Sequence, residues 1–293
     1  MQSKNMKFAY LILAHGNYVL LKELLKALDS PDNDIYVHLD KKAGHVEISQ
    51  FEDAIRYSKL VFIKNRVDVK WGHISIVEAT LNLLEEAVKC DYDYLHLLSG
   101  VDFPIKSHSY IQNFFQEHKG CEFVGYSNDM TEEDVKKRIV WYPFHRRDYR
   151  RKYIAAGWLN GLSYRVQKIL HLYTVTPLHT QRIGSEWFSI TWQLANDLVS
   201  QKKRILKRYK HVLVPDEMFM QAFLIENDLM EKVYDGHEEF GNCCRKIDWS
   251  RGNPYVWQEK DFEELVNSPC LWARKFSEDQ INLVKKIAKH IKE

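Results

Sequence analysis

The sequence carries an acidic pair whose position could allow acid–base chemistry. Asp216 and Glu217 follow Pro215, and the apolar residues after them predict a helix over 216–226. We expect Asp216 to cap this helix and Glu217 to lie in its first turn, where the helix dipole keeps a carboxylate ionised. A fixed, ionised carboxylate can act as a general base, although an ordinary acidic helix start has the same spacing.

A cationic pair, Arg274 and Lys275, lies inside the apolar segment 271–276. Two fixed cations can stabilise a leaving group that carries concentrated negative charge, such as a nucleoside diphosphate, without a metal ion. The same two side chains could instead form a structural salt bridge. Spacing alone leaves both interpretations open.

The elements that would position these residues are predicted from hydrophobic periodicity. Apolar runs predict buried strands at 7–13, 35–39, 60–63 and 94–98, and spacing of three and four residues predicts helices at 19–28 and 72–89. The second half predicts a partly irregular segment at 131–180, a strand at 187–191, a helix from 192 to about 203 and a closing helix at 277–291.

Strands that alternate with helices indicate an α/β fold with a mostly parallel central sheet flanked by helices. No linker rich in Pro or Gly interrupts the chain. We therefore expect a single domain over 1–293, with halves at about 1–130 and about 131–293.

Polar residues follow three of the predicted parallel strands where each strand ends. Ala14 and His15 lie at the end of the first strand, Asp40 follows the second, and Asp102 follows the fourth. Ligands bind outside the carboxyl ends of the strands in an open parallel sheet, so these residues should converge on one edge. An Asp at that edge can accept hydrogen bonds from a ribose or a base, or it can simply cap a turn.

Two Asp-X-Asp segments, 32–34 and 91–93, match a common divalent-cation pattern. Both precede their strands, so we expect them to form surface turns at the amino end of the sheet, and we predict no metal site. The glycine patterns of dinucleotide-binding and P-loop proteins do not occur in the sequence, and neither does the Gly-X-Ser-X-Gly elbow of hydrolases.

The composition narrows the partners and the compartment. The net charge of +2 gives no global field that would favour nucleic acid. Five cysteines without Cys-X-X-Cys spacing favour reduced thiols in a reducing compartment. No apolar run is long enough to cross a bilayer. We expect a cytoplasmic protein, with peripheral contact at the inner face of the membrane as an open alternative.

Several features could contact an acceptor or a membrane. The basic segment 145–153, which includes Arg146 and Arg150, could bind an acceptor that carries carboxylate or phosphate, touch anionic lipids, or form solvated surface. The closing helix could rest on a membrane, but packing against the domain is the favoured interpretation. Trp187 and Trp249 could stack on a sugar or pack in the core.

Eight segments together, in order, resemble the core-2/I-branching β-1,6-N-acetylglucosaminyltransferases and the peptide O-xylosyltransferases, which share one catalytic domain. The segments are LILAHGN at 11–17, IYVHLDKK at 35–42, VKWGHISIVEATLNLL at 69–84, LHLLSGVDFPIKS at 95–107, GSEWFSIT at 184–191, PDE at 215–217, IDW at 247–249 and LWARKF at 271–276. Any one of them is a weak signal, whereas the ordered set is specific.

The resemblance implies a fold of the glycosyltransferase A type, with a nucleotide-binding half at about 1–130 and an acceptor-side and catalytic half at about 131–293. It also implies an inverting transfer from a UDP-sugar to a glycan hydroxyl, without a bound metal or other cofactor. It favours N-acetylglucosamine as the sugar and leaves xylose open. Glu217 matches the family's catalytic base, and Lys275 matches a cation that contacts the donor diphosphate. Asp40 matches the family's Asp near the uracil, bordered by Ala14 and His15.

The resemblance leaves other points open. Asp102 lies where metal-dependent relatives carry Asp-X-Asp, and the second diphosphate cation is either Arg251 or Arg274. The expected acceptor is a glycan, free or linked to a lipid. Two alternatives remain: a non-catalytic module that binds a nucleotide sugar or glycan, and a metal-dependent glycosyltransferase that uses Asp102.

Overall fold

The computed structural model describes residues 5–127, 129–141, 154–235 and 241–292. Within these residues the strands are β1 (Phe8–Ala14), β2 (Asn33–Leu39), β3 (Lys59–Phe62), β4 (Tyr94–Ser99), β5 (Asp102–Pro104), β6 (Phe123–Tyr126), β7 (Gly184–Thr191), β8 (Arg245–Ile247) and β9 (Trp272–Arg274). The helices are α1 (Tyr18–Leu28), α2 (Ser75–Ala87), α3 (His108–Glu117), α4 (Glu132–Arg138), α5 (Ile154–Ile169), α6 (Trp192–Ser200), α7 (Lys202–Tyr209), α8 (Phe219–Glu226), α9 (Phe262–Val266) and α10 (Ile281–His290).

The central sheet has six strands in the order β3-β2-β1-β4-β7-β6. β1 to β4 run parallel, β7 runs antiparallel to β4, and β6 runs antiparallel to β7. Ala14 pairs with Leu39, and Leu13 pairs with Ser99, so β1, β2 and β4 end level with one another. We call this edge, the carboxyl ends of β1, β2 and β4, the rim. Because β7 runs the other way, its first residues begin at the rim.

Helices cover both faces of the sheet, because the buried side chains of the strands alternate between two apolar layers. In β1, Phe8, Tyr10 and Ile12 join the layer formed with α1, α3 and α10, whereas Ala9 and Leu11 join the layer formed with α2, α6 and α8. Each fully buried side chain of this size contributes roughly 1.5–3 kcal/mol. This architecture confirms the predicted α/β class, with a mostly parallel central sheet flanked by helices.

A second, smaller sheet, in the order β5-β9-β8, lies against the centre of the first. Arg245 on β8 is buried, and its guanidinium donates hydrogen bonds to the carbonyl oxygens of Leu97 on β4 (3.1 Å) and Phe188 on β7 (2.8 Å). The guanidinium also stacks on Trp272 of β9, 4.4 Å from the ring centroid. This one side chain therefore joins three strands from two sheets, a role that its position in the sequence did not indicate.

The closing helix packs against the domain. Leu283, Val284 and Ile287 on α10 are buried, and α10 contacts α1 and α9. The favoured interpretation of this helix is confirmed. Within the ranges that the structure describes, no helix is long and apolar enough to cross a membrane.

The predicted helix over 216–226 is wrong at its start. Pro215–Glu217 forms a separate 3-10 turn, and α8 begins only at Phe219. Met218 between them has a φ of −136°, which is incompatible with a helix. Asp216 therefore does not cap α8, and Glu217 does not lie in its first turn. The helix predicted from 192 is likewise divided at Gln201, and the segment predicted to be partly irregular contains α4 and α5.

Gly184 at the start of β7 offers a test of the packing at the rim. A Cβ atom there would lie 2.0 Å from the carbonyl oxygen of Gly125 and 2.6 Å from Nε2 of Gln221. Gly184→Ala should therefore lower the free energy of unfolding by about 3 kcal/mol or more, measured by urea denaturation.

The matched control for Gly184→Ala is Gly161→Ala, because Gly161 lies inside α5 and its Cβ would meet nothing within 4 Å. Ala has the higher helix propensity, so this variant should gain about 0.5–1 kcal/mol. Equal effects of the two substitutions would contradict the tight contact at Gly184.

Candidate active site

A buried ion pair forms the centre of the rim. The carboxylate of Asp102, at the start of β5, is fully buried and accepts hydrogen bonds from the backbone N–H and the hydroxyl of Ser99, both at 2.8 Å. Arg274 on β9 donates to the same carboxylate at 2.8 Å and also to the Ser99 hydroxyl. Asp102 thus caps the turn after β4, and Arg274 forms a salt bridge. These are the structural roles that the sequence left open for the two residues.

Trp187 on β7 lies under the same arginine. The guanidinium of Arg274 is 4.4 Å from the centroid of the indole ring, and Trp187 is only 6% exposed. These contacts favour the core-packing interpretation of Trp187 over stacking on a sugar. Trp249, by contrast, is 53% exposed, so its indole surface is accessible from solvent.

Lys275, the next residue, lies beside the pair. It is half-buried, and its backbone is held by Tyr255 and Trp257 through hydrogen bonds of 3.4 Å and 3.1 Å. Among the residues that the structure describes, no carboxylate lies within salt-bridge distance of the Lys275 ammonium. A half-buried cation without a carboxylate partner is suited to an anionic ligand.

Arg251 has several partners already. Its guanidinium forms ion pairs with Asp248, with Asp261 at 3.3 Å and with Glu264 at 2.8 Å. It also stacks on Tyr255, 4.4 Å from the ring centroid. Arg274 pairs with one carboxylate and Arg251 with three, so the positive charge of Arg274 is less neutralised by its neighbours and attracts an anionic ligand more strongly. The assignment of the second diphosphate cation stays a prediction.

Glu217 is held in place by a cation that the sequence did not indicate. Arg138, the last residue of α4, donates to the Glu217 carboxylate at 2.6 Å, and the Glu217 side chain remains 35% exposed. The backbone N–H groups of Leu213 and Val214 donate to the carbonyl oxygens of Arg138 (2.8 Å) and Gly72 (3.0 Å). The turn that carries Glu217 is therefore fixed by α4 on one side and by the loop before α2 on the other.

Glu186, the third residue of β7, connects the two groups of charges. One of its carboxylate oxygens is enclosed and has no hydrogen-bond partner among the described residues. Burial raises the pKa of Glu186 well above its usual range, and repulsion from Asp216 adds to the effect. Glu217 and Asp102 raise it further, whereas Arg274 opposes the shift. Glu186 therefore lies within electrostatic range of both the acidic turn and the cation pair.

Asp216 is also buried and keeps its proton to unusually high pH. Burial raises the pKa of Asp216 to about 7, the neighbouring Glu217 carboxylate contributes, and Arg138 opposes the shift. The raised pKa values of Asp216 and Glu186 favour their uncharged forms, which repel the Glu217 carboxylate less than two further carboxylates would.

The residues at the ends of β1 and β2 also meet at the rim. The N–H group of Asp40 donates to the carbonyl oxygen of Ala14 at 2.8 Å, and exposed His15 follows directly. The Asp40 carboxylate is buried and accepts a hydrogen bond from the backbone N–H of Lys42 at 2.8 Å, which caps the turn after β2. The convergence predicted for Ala14, His15, Asp40 and Asp102 is confirmed as geometry, whereas their contact with a donor stays a prediction.

The two Asp-X-Asp segments lie at the opposite edge of the sheet, as predicted. Asp93 accepts a hydrogen bond from the N–H group of Lys7, just before β1, at 2.9 Å. Asp34 accepts one from the Tyr92 hydroxyl at 2.7 Å. The turn prediction for 32–34 is partly wrong, because Asn33 and Asp34 already belong to β2. Arg146 and Arg150 lie outside the described residues.

Sequence reasoning missed Glu186 and Arg138. Glu186 lies in the segment GSEWFSIT, where an acid among apolar strand residues is itself a signal, because strands rarely enclose a carboxyl group without a role. Arg138 ends a helix rich in charge and has no comparable signal, since its partner is 79 residues away in the chain.

The raised pKa of Asp216 predicts a pH-dependent stability. Because the folded-state pKa lies above the unfolded value, the unfolded chain releases its proton first, and stability is lost as the pH rises from about 4 to about 7. Asp216→Asn removes this loss. Relative to the original protein, the variant should gain at least about 1 kcal/mol between pH 5 and pH 8, measured by urea denaturation.

Asp134→Asn is the control for Asp216→Asn, because the pKa of Asp134 is lowered to about 2 by its hydrogen bonds with Thr131. Its carboxyl group does not titrate between pH 5 and pH 8, so the stability difference should stay constant over that range. A constant difference for Asp216→Asn as well would show that Asp216 is ionised in the folded protein.

Comparison with known proteins agrees with the ordered motifs. Curated relatives include a xylosyltransferase of Ciona intestinalis, 22% identical over 290 residues that cover 93% of this chain and 32% of the relative. Xylosyltransferase 2 of Homo sapiens is 23% identical over 299 residues, covering 94% of this chain and 32% of the relative. The chain thus spans about a third of the length of the curated relatives it matches.

A solved structure of mouse xyloside xylosyltransferase 1, in its apo form, aligns with 94% of this chain and 98% of its own, with a TM-score of 0.39 and 8% sequence identity. That likeness is too distant to carry an argument. The family model for the Core-2/I-Branching enzyme matches residues 8–269. Since this match covers most of the chain, the chain belongs to the Core-2/I-Branching enzyme family of glycosyltransferases, as the ordered motifs predicted.

Proposed function

We propose that this chain transfers a sugar from a UDP-sugar to a hydroxyl group of an acceptor, with inversion at the anomeric carbon and with Glu217 as the base. The observation that carries the proposal is that β7 joins the two groups: Trp187 on β7 lies 4.4 Å from the Arg274 guanidinium, and β7 also packs against the turn that carries Glu217. Because one strand lies beside both groups, Glu217 can act on the acceptor hydroxyl while Arg274 and Lys275 stabilise the leaving diphosphate of the same reaction.

The proposed step begins at the acceptor. The Glu217 carboxylate takes the proton of the acceptor hydroxyl as its oxygen attacks the anomeric carbon from the face opposite the diphosphate. The bond between the anomeric carbon and the diphosphate oxygen breaks, and its electron pair stays with the departing UDP. Arg138 holds the carboxylate in one orientation at 2.6 Å, so little reorganisation is needed when the acceptor arrives.

The donor site is proposed at the rim. Lys275 and Arg274 are assigned to the diphosphate, because they are fixed cations in a half-buried position where electrostatic stabilisation is strong. Asp40, with Ala14 and His15 beside it, is assigned to the nucleoside. The second carboxylate oxygen of Asp40 is 3.6 Å from the Lys42 ammonium, so it can still accept a hydrogen bond from a ligand.

The names of the relatives and the surface residues bear on the sugar and the acceptor. The curated relatives are named xylosyltransferases, which favours xylose over the N-acetylglucosamine that the resemblance suggested. The acceptor is proposed to be a glycan or a peptide, and a lipid-linked glycan is included because the basic segment 145–153 would suit its phosphate. Exposed Trp249 is the better of the two tryptophans to stack on an acceptor sugar.

Glu217→Gln tests the base. The amide keeps the size of the side chain and removes the proton acceptor, so turnover should fall by at least ~10²-fold while donor affinity stays within about twofold. Turnover would be followed as UDP release with UDP-xylose and with UDP-N-acetylglucosamine, and donor binding by calorimetry.

Glu133→Gln is the matched control for Glu217→Gln, because Glu133 is also a surface glutamate in an ion pair, with Lys168 at 2.8 Å. Its turnover should remain close to that of the original protein. Turnover of Glu217→Gln equal to that of the control would remove Glu217 from the mechanism, whereas donor binding without turnover in the original protein would favour a non-catalytic binding module.

The proposal also predicts that activity survives EDTA. Both carboxylate oxygens of Asp102 are engaged, by Ser99 and by Arg274, so a metal ion at this position would have to displace the arginine. Turnover measured after dialysis against EDTA should remain within about twofold of the untreated value, since cations of the protein stabilise the leaving group. Complete loss of activity that Mn²⁺ restores would instead support the metal-dependent alternative.

A further inference from the structure

Helix α5 exposes its apolar side. Trp158, Leu162 and Ile169 are 78%, 60% and 76% exposed, and Leu159 and Val166 are 50% and 46% exposed. At 100° per residue these five side chains fall within a sector of about 100°, which is the width of an ordinary apolar helix stripe. We call this surface the α5 face.

The side of α5 that contacts the protein is polar. Asn160 is buried, and Gln167 donates a hydrogen bond to the carbonyl oxygen of Trp141 at 2.7 Å. Lys168 forms an ion pair with Glu133 of α4 at 2.8 Å, and Glu133 also accepts a hydrogen bond from the Tyr164 hydroxyl. The helix is therefore attached through its polar residues, and its apolar stripe points away from the core.

This orientation is the reverse of an ordinary surface helix, whose apolar stripe is buried against the core. Five large apolar side chains in contact with water are unfavourable, and a contiguous exposed patch of this kind marks a docking surface. The helix keeps its orientation through specific hydrogen bonds to α4 and Trp141, so the exposure belongs to the fold.

The charge around the α5 face indicates what covers it. Helix α5 itself contains two cations, Arg165 and Lys168, and no Asp or Glu. Arg165 lies beside the apolar stripe and is exposed. An apolar stripe that contains a tryptophan and is bordered by an exposed cation matches the interface of a bilayer that contains anionic lipids.

The same charge argues against a second copy of the chain. A symmetric dimer through the α5 face would bring Arg165 of both copies to the same interface, and juxtaposed like charges are unfavourable. We propose that the α5 face docks the protein on an anionic membrane surface. This inference does not depend on the proposed catalytic step.

Vesicle sedimentation tests the proposal. The full chain should bind vesicles of equal amounts of phosphatidylglycerol and phosphatidylcholine at least about tenfold more tightly than vesicles of phosphatidylcholine alone. The double variant Leu162→Glu/Ile169→Glu should lose at least about tenfold in affinity for the anionic vesicles, because both side chains leave the apolar stripe. Both positions are exposed, so its melting temperature should stay close to that of the original protein.

The control is Val19→Glu/Tyr57→Glu, which adds the same charges at exposed apolar positions away from α5, 56% and 58% exposed. It should bind vesicles as the original protein does. Undiminished binding by the α5 double variant, equal binding to both vesicle types, or no binding by the original protein would overturn the proposal. A dimer in solution that only the α5 variant dissociates would also overturn it, in favour of a second copy.

Discussion

The ion pair between Asp102 and Arg274 is the contact on which the arrangement of the site depends. A fully buried carboxylate is stable only when it is paired and hydrogen-bonded, and here two donors of Ser99 and the guanidinium satisfy it. Asp102 pairs directly with Arg274 across β5 and β9, so the ion pair fixes the small sheet at the end of β4. That register places Lys275 beside the rim, and it turns Arg274 onto Trp187 of β7.

The second constraint is an excess of acids over cations. Four carboxyl groups, those of Asp102, Glu186, Asp216 and Glu217, influence one another, and the cations that lower the pKa of Glu186 and of Asp216 are Arg274 and Arg138 respectively. Each arginine pairs with one carboxylate, so Glu186 and Asp216 have no arginine partner among the described residues, and burial raises the pKa of both. Glu217 and Asp102 therefore each keep an arginine partner, and the raised pKa values of the other two acids reduce the repulsion among the four carboxyl groups.

The rim could be predicted from the sequence, but the local geometry of the base could not. Apolar runs and the parallel-sheet rule were sufficient to bring Ala14, Asp40 and Asp102 to one edge. The turn at 215–217 was read as part of a helix, because residue types do not reveal that Val214 adopts a left-handed φ of 55° or that Met218 interrupts the helix. Arg245 acquires meaning only from tertiary contacts, since a charged residue in a strand of three residues is normally taken to be exposed. Glu186 has a signal in its apolar neighbours, but its link to both Glu217 and Arg274 comes from the tertiary structure.

Helix α5 shows a related limit of hydrophobic periodicity. The period identifies an apolar stripe, but it does not specify whether that stripe faces the core or the outside. Here the polar side determines the orientation, because Gln167 and Lys168 find partners on Trp141 and Glu133, which lie far from them in the chain. The same contacts join α5 to α4, and α4 ends at the arginine that holds Glu217. The exposed α5 face and the Glu217 carboxylate are therefore connected through α4, so displacement of α4 would affect both.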